Sequence, residues 1–133
     1  MAEERATSEA EEMFQPIEEF FCAYANNVQI HQTVFDLKLI FGEMVQTPGI
    51  PGKIGYVEQH SSITMSWIQA KLLLYFLGLN IEAFESQHGK IKIPPEVMPP
   101  EVTPPSEENK NDPKHQAMYE LLKNFRERFI SNL

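Results

Sequence analysis

The sequence predicts an α+β fold: an antiparallel sheet of three to four strands packed on one long helix, then a proline-rich linker and a C-terminal amphipathic docking helix. Three observations predict it. Between Val28 and Phe41 apolar residues recur at a period of two, the pattern of half-buried antiparallel strands. At Ser66 a capping-box pattern opens a long apolar segment. Beyond Ile93 a Pro-Pro repeat ends at Asp112-Pro113, which is a helix-start signal.

Charge is concentrated at the amino end. Residues 1–20 hold Glu3, Glu4, Glu9, Glu11, Glu12, Glu18 and Glu19 against Arg5 alone, so six of the eight net negative charges lie there. Such a block ahead of an apolar segment reads as a solvated, mobile tail. Met13, Phe14, Ile17, Phe20 and Phe21 have helix-like spacing and suggest a short helix, with Pro16 tolerated only in its first turn.

Strand patterning starts after Tyr24. Val28 and Ile30 share one face; Phe35, Leu37, Leu39 and Phe41 then alternate with Val34, Asp36, Lys38 and Ile40. The phase flips between the two runs, which requires a turn or a bulge near His31–Thr33. The second strand should end near Gly42–Val45. Thr47-Pro48-Gly49-Ile50-Pro51-Gly52 is a loop by composition. A third strand is expected from about Ile54 to Met65, with Tyr56, Ile63 and Met65 as packing residues.

Ser66-Trp67-Ile68-Gln69 fits a capping box, so a helix is expected from Trp67 to about His88, stopped by Gly89. Lys90–Ile93 could supply the fourth strand. On this helix Lys71, Tyr75, Gly78, Glu82 and Glu85 share one narrow face, and nearly everything else is apolar. An ordinary surface helix carries a single apolar stripe. This one needs cover on two sides, and its own sheet supplies one.

After Ile93 the chain reads PPEVM-PPEVT-PPSEE, and seven of its ten prolines lie between residues 94 and 113. That density favours an extended, semi-rigid spacer; a docking site for a proline-reading module is the other reading. Asp112 then suits an N-cap and Pro113 a first helical position. Met118, Leu121, Leu122, Phe125 and Phe129 form an apolar stripe, with Lys123, Arg126 and Arg128 near the end where cations suit the helix dipole. A helix of this kind is stable only with its stripe buried. The expected division is therefore residues 1–20 as an acidic segment, 21–93 as an α+β core domain, 94–112 as linker and 113–133 as docking helix.

Composition excludes several classes. Net charge is −8 over 133 residues and the pI is near 4.9, which opposes general nucleic-acid binding. No apolar run reaches the ~18–20 residues of a membrane span. The single cysteine, Cys22, leaves no internal disulfide, thiolate zinc site or CxxC pair. The acidic amino end lacks a signal-peptide pattern, so the cytoplasm is the expected location.

Chemistry-bearing motifs are few. His31, His60, His88 and His115 stand apart and read as surface or hydrogen-bonded histidines. Glu82, Glu85 and His88 imitate a carboxylate metal array, but such sites need matching helices, and a solvated helix face is the plainer reading. Gly49-Ile-Pro-Gly52-Lys53 lacks the spacing of a phosphate loop and is flanked by strands, unlike a KH loop. Cys22, among Phe20, Phe21 and Tyr24, reads as a small buried apolar residue. No catalytic, cofactor-binding or metal residue is assigned, no cofactor is expected, and the chain is not taken for an enzyme.

Two stretches carry a family resemblance. Tyr24-Ala-Asn26-Asn-Val28 with Phe35-Asp-Leu37-Lys-Leu39-Ile-Phe41-Gly42 is similar to the opening of a small prokaryotic family, domain of unknown function 3467. Met65-Ser66, Ala70-Lys71-Leu72-Leu73, Asn80-Ile81-Glu82, Glu85 and Gly89-Lys90-Ile91 resemble its capped helix and exit. The resemblance covers about residues 24–93 and implies no activity or catalytic residues. Its helices carry charged residues where this chain has Trp67, Ile68, Tyr75, Phe76 and Leu77. The proline repeat and last helix lie outside it, as if the added helix covered the added apolar surface, in its own subunit or in a neighbour's.

The function expected is a small homo-oligomeric protein-interaction module. About 70 core residues make a marginal domain that gains by pairing. Interface residues are expected at Trp67, Ile68, Phe76, Met118, Leu122, Phe125 and Phe129. Self-association is the expected partnership, with a protein partner as a further one and neither nucleic acid nor membrane. An alternative is a holding chaperone or adaptor for apolar polypeptide segments, similar in element order to the export chaperone SecB. A strand-helix dimer that binds DNA is disfavoured by the charge.

Overall fold

The structure, a computed structural model, describes residues 13–51 and 54–133. The chain divides into two compact units, Met1–Leu72 and Leu73–Leu133. The fold class is the expected α+β, with three strands: β1 (Asn27–Gln32), β2 (Asp36–Gln46) and β3 (Ile54–Ser66), antiparallel in the order β1-β2-β3. The long helix α1 (Trp67–His88) follows, then one 3-10 turn at Pro95–Val97 and the C-terminal helix α2 (Pro113–Ser131).

In the first unit, β1 and β2 are joined by a turn at the expected phase flip. Thr33 closes it: its amide donates to the Asp36 carbonyl at 2.9 Å, and its hydroxyl accepts the amides of Phe35 and Asp36, each at 3.1 Å. The same hydroxyl donates to Asp36 Oδ1 at 2.9 Å. Bulges occur instead between β2 and β3, at Phe41/Gly42 and Val45/Gln46. Gly42 is required at the first of these, because an added Cβ would meet the Glu58 carbonyl oxygen and Val57 Cγ1 at 2.8 Å. Ser66 ends β3 and begins α1 with no residue between them, its Oγ accepting the Gln69 amide at 3.1 Å.

In the second unit, α1 stops where expected. Gly89 has φ +87 and its amide donates to the Glu85 carbonyl at 2.9 Å. Asp112 caps α2 by accepting the Lys114 amide at 2.9 Å. The proline segment is largely extended, with Pro94 and Met98 both near φ −60 and ψ 145 on either side of the 3-10 turn.

Three expectations are corrected. Lys90–Ile93 is not a strand: the Ile91 amide is taken by the Glu85 carboxylate at 2.7 Å, which ties the exit to the helix end. Residues 14–21 are not helical; Pro16 removes a donor, and Phe20 closes a single turn back to the Ile17 carbonyl at 3.1 Å. Cys22 is exposed, in a segment without regular secondary structure whose aromatic neighbours in sequence, Phe20, Phe21 and Tyr24, are themselves exposed. Residues 1–12, most of the expected acidic tail, lie outside the described residues.

Among the described residues only Gly42 is buried, and no apolar side chain is. Neither helix has a buried residue. Among the described residues the elements are complete but enclose no apolar side chain.

Candidate functional site

The register sorts the sheet into two unlike faces. Residues directly opposite in an antiparallel pair share a face. Leu39 lies opposite Ile30 and Ile63, Leu37 opposite Met65, and Phe41 opposite Val28. Up to the first bulge this face is mainly apolar, with Gln32 opposite Leu37 and Ser61 opposite Phe41 as its polar members, and Ile30 and Ile63 remain 60% and 55% exposed. The other face carries Gln29, His31, Lys38, Ile40, Ser62 and Thr64. There Gln59 Nε2 donates to Gln29 Oε1 at 2.9 Å, tying the two outer strands together across β2.

The segment before β1 is fastened across the bulged end. The Phe21 and His60 rings are 6.4 Å apart, and His60 Nε2 lies 2.8 Å from the Tyr24 carbonyl oxygen. A carbonyl only accepts, so His60 carries its proton on Nε2, and Nδ1 meets Ser61 Oγ at 2.9 Å. Asn26 Oδ1 then accepts the Met44 amide at 2.8 Å. His60 is thus the hydrogen-bonded histidine the sequence suggests.

At the other end of the sheet, the Trp67 indole N–H donates to the Thr33 carbonyl at 3.0 Å. Trp67 and Ile68 belong to this first unit, and Ile68 is 77% exposed.

The remaining expected interface residues belong to the second unit. Phe76 packs edge-on against the Tyr75 ring at 5.2 Å and is exposed. Met118, Leu122, Phe125 and Phe129 form one stripe of α2, all exposed, with the Arg128 guanidinium 5.5 Å from the Phe125 ring. Within this unit the stripe of α2 and the Leu74, Leu77, Ile81 and Phe84 side chains of α1 are all left open to solvent.

A different face of α2 is occupied. Arg126 Nε donates to the Pro99 carbonyl at 3.0 Å, and Glu101, Val102, Tyr119, Lys123, Arg126 and Glu127 line a shallow cavity between the proline segment and the helix. The linker therefore meets α2 over residues 99–102. Sequence reasoning missed this contact; its trace is Tyr119, Lys123 and Arg126 recurring at helical spacing beside the apolar stripe.

The metal-like array on α1 has other partners. Glu85 accepts the Ile91 amide, and the His88 ring lies 4.6 Å from that of Phe84. Among the described residues no group of three His, Cys, Asp or Glu could hold a metal ion. Among them, too, no helix is long and apolar enough to cross a membrane. The Gly49 end of the GxxG motif is a turn with φ +78, where the Ile50 amide donates to the Thr47 carbonyl at 3.2 Å; Gly52 and Lys53 lie outside the described residues.

No curated protein and no solved structure matches the chain. A family model matches residues 3–93, a stretch that holds the whole sheet, the Ser66-capped helix and its Gly89 exit. The chain therefore belongs to the family described as Protein of unknown function (DUF3467).

Proposed function

We propose that this chain is a homo-oligomeric protein-interaction module whose sheet and helices acquire their interior only on assembly. The observation that carries the reading is the absence of any buried apolar side chain among the described residues, although every strand and helix is formed. Hydrophobic burial is the main favourable term in folding, and a fold without it does not persist alone. Trp67, Ile68, Phe76, Met118, Leu122, Phe125 and Phe129 are the proposed contact residues. Light scattering after gel filtration tests the reading: a mass of at least twice 15.3 kDa is expected, and a stable, cooperatively unfolding monomer would overturn it.

A second reading, a holding chaperone or adaptor, is favoured by the edge of the sheet. β1, which is an edge strand among the described residues, reads NVQIHQ and carries neither charge nor proline. Edge strands not meant for pairing are usually blunted by such residues. Beside an open apolar face, this edge suits an extended apolar segment. The assay is suppression of aggregation of an unfolded protein at near-stoichiometric ratio; no suppression removes this reading and leaves the first intact.

A further inference from the structure

The narrow polar strip of α1 contains a feature that a solvated face does not explain. Gly78 sits in the middle of a 22-residue helix. Its φ is not positive, and an added Cβ would meet nothing within 4 Å. Glycine there weakens the helix relative to alanine and gains nothing inside the chain. Glycine in an element interior is otherwise used where another backbone approaches closely.

An apolar seam borders the polar strip that holds Gly78. Ala70, Leu74, Leu77, Ile81 and Phe84 recur at spacings of 4, 3, 4 and 3, the alternation by which one helix interlocks with another. Leu74, Leu77, Ile81 and Phe84 are all exposed. A second apolar stripe, Ile68, Leu72, Phe76 and Leu79, runs along the far side, with Gln69 and Asn80 between the two on the side away from Gly78. The helix therefore carries two separate apolar contacts, and one of them is spare after any sheet has taken the other.

Charge selects both the occupant and its direction. Lys71 lies seven residues before Gly78, and Glu85 lies seven residues after it, on the same edge of the seam. At 1.5 Å per residue each is about 10 Å along the axis from Gly78. A second copy of α1, laid antiparallel with the twofold axis at Gly78, would set Lys71 of each chain against Glu85 of the other. Glu82 lies within a turn of the same place. A parallel pair would place the two copies of this edge on opposite sides of the seam, so Lys71 and Glu85 would not meet across it. Glu85 uses Oε2 for the Ile91 amide, which leaves Oε1 for the partner.

We propose that α1 pairs antiparallel with α1 of a second copy, the two helices crossing at Gly78 along the Ala70–Phe84 seam. This rests on the homo-oligomeric reading and names its central contact. The test uses Gly78→Leu in the full chain, a replacement that the open space around Gly78 accepts and that helix propensity favours. The expected result is self-association weakened at least roughly ten-fold, with helicity retained at chain concentrations where the assembly still forms. An unchanged affinity, with raised helicity and melting temperature, overturns the pairing. Lys71→Glu is expected to weaken self-association by roughly five-fold at low salt. Combining it with Glu82→Lys and Glu85→Lys should restore the affinity, and failure to restore it overturns the antiparallel direction. A wild-type chain that is itself monomeric sinks the homo-oligomeric reading as well. A wild-type oligomer indifferent to Gly78→Leu sinks this inference alone.

Discussion

The indole N–H of Trp67 donates to the carbonyl of Thr33 at 3.0 Å, across thirty-four positions of sequence. The bond ties the first residue of α1 to the turn between β1 and β2. Thr33 already closes that turn with its hydroxyl, so one residue sets the hairpin and receives the helix. The start of α1 is thus fixed by its Ser66 cap and by this tether.

Trp67→Phe keeps most of the ring and removes the donor. The Thr33 carbonyl lies at the surface and can turn to water, so the cost should be the ordinary net value of a hydrogen bond, about 1 kcal/mol. Urea unfolding at fixed chain concentration measures it. Trp67 is the only tryptophan and is 41% exposed. Its emission should therefore shift to the blue as concentration rises and the proposed assembly forms. An emission maximum independent of concentration across the dissociation range would place Trp67 outside the interface.

Gly42 is the position of the sheet least able to change. A Cβ there would meet Glu58 O and Val57 Cγ1 at 2.8 Å and Gln59 Cα at 3.2 Å. Two of these are backbone atoms of the paired strand, so relief requires β3 to move. Gly42→Ala should destabilise by about 1–3 kcal/mol. Gly49→Ala, in the open turn, should lose only what its φ of +78 demands. Parallel thermal melts of the two variants distinguish crowding from backbone strain.

The cap of α2 gives a pH dependence. The Lys114 amide, and after it the His115 side chain, hold the Asp112 carboxyl below its ordinary 3.8. A lowered folded value means the carboxylate favours the folded helix, so its contribution is present above pH 3.8 and is lost as pH falls through the lower folded value. Helical ellipticity of the intact chain should decline over that window. Asp112→Asn keeps a cap acceptor without a titrating group and should remove that part of the decline. An acid profile identical in the two proteins would show that the cap does not titrate with the helix.

What could be read from the sequence was local. Ser66 with Gln69, Asp112 with Pro113, and Gly89 after His88 each act within a few residues, and all three mark element ends as expected. The strand faces followed from alternation alone. At the phase flip, turn and bulge remained equal alternatives, although Thr33 three residues ahead of Asp36 carries the signal of a side-chain-closed turn. The contacts that could not be read join distant positions: His60 with Tyr24, Trp67 with Thr33, and Arg126 with Pro99. Each depends on register or on the path of a loop, and periodicity encodes neither. Cys22 was misread for the same reason, since aromatic neighbours in sequence do not make a buried site. That a Cβ at Gly78 would meet nothing within 4 Å depends on the fold, and no local pattern in the sequence encodes it.

Removing residues 94–133 tests what the C-terminal segment covers. Residues 99–102 of the linker meet the Tyr119 and Arg126 side of α2 and leave Met118, Leu122, Phe125 and Phe129 open. In the proposed assembly that stripe lies on apolar surface of the sheet or of α1. The family match ends at Ile93, so the shortened chain keeps every strand and the whole of α1. It should still show the circular dichroism of sheet and helix, but bind more of an apolar dye and aggregate at lower concentration. Phe125→Glu in the full chain should move in the same direction by a smaller amount, since it charges the stripe without removing the helix. If neither change alters dye binding or solubility, the stripe covers nothing, and Met118, Leu122, Phe125 and Phe129 leave the proposed interface.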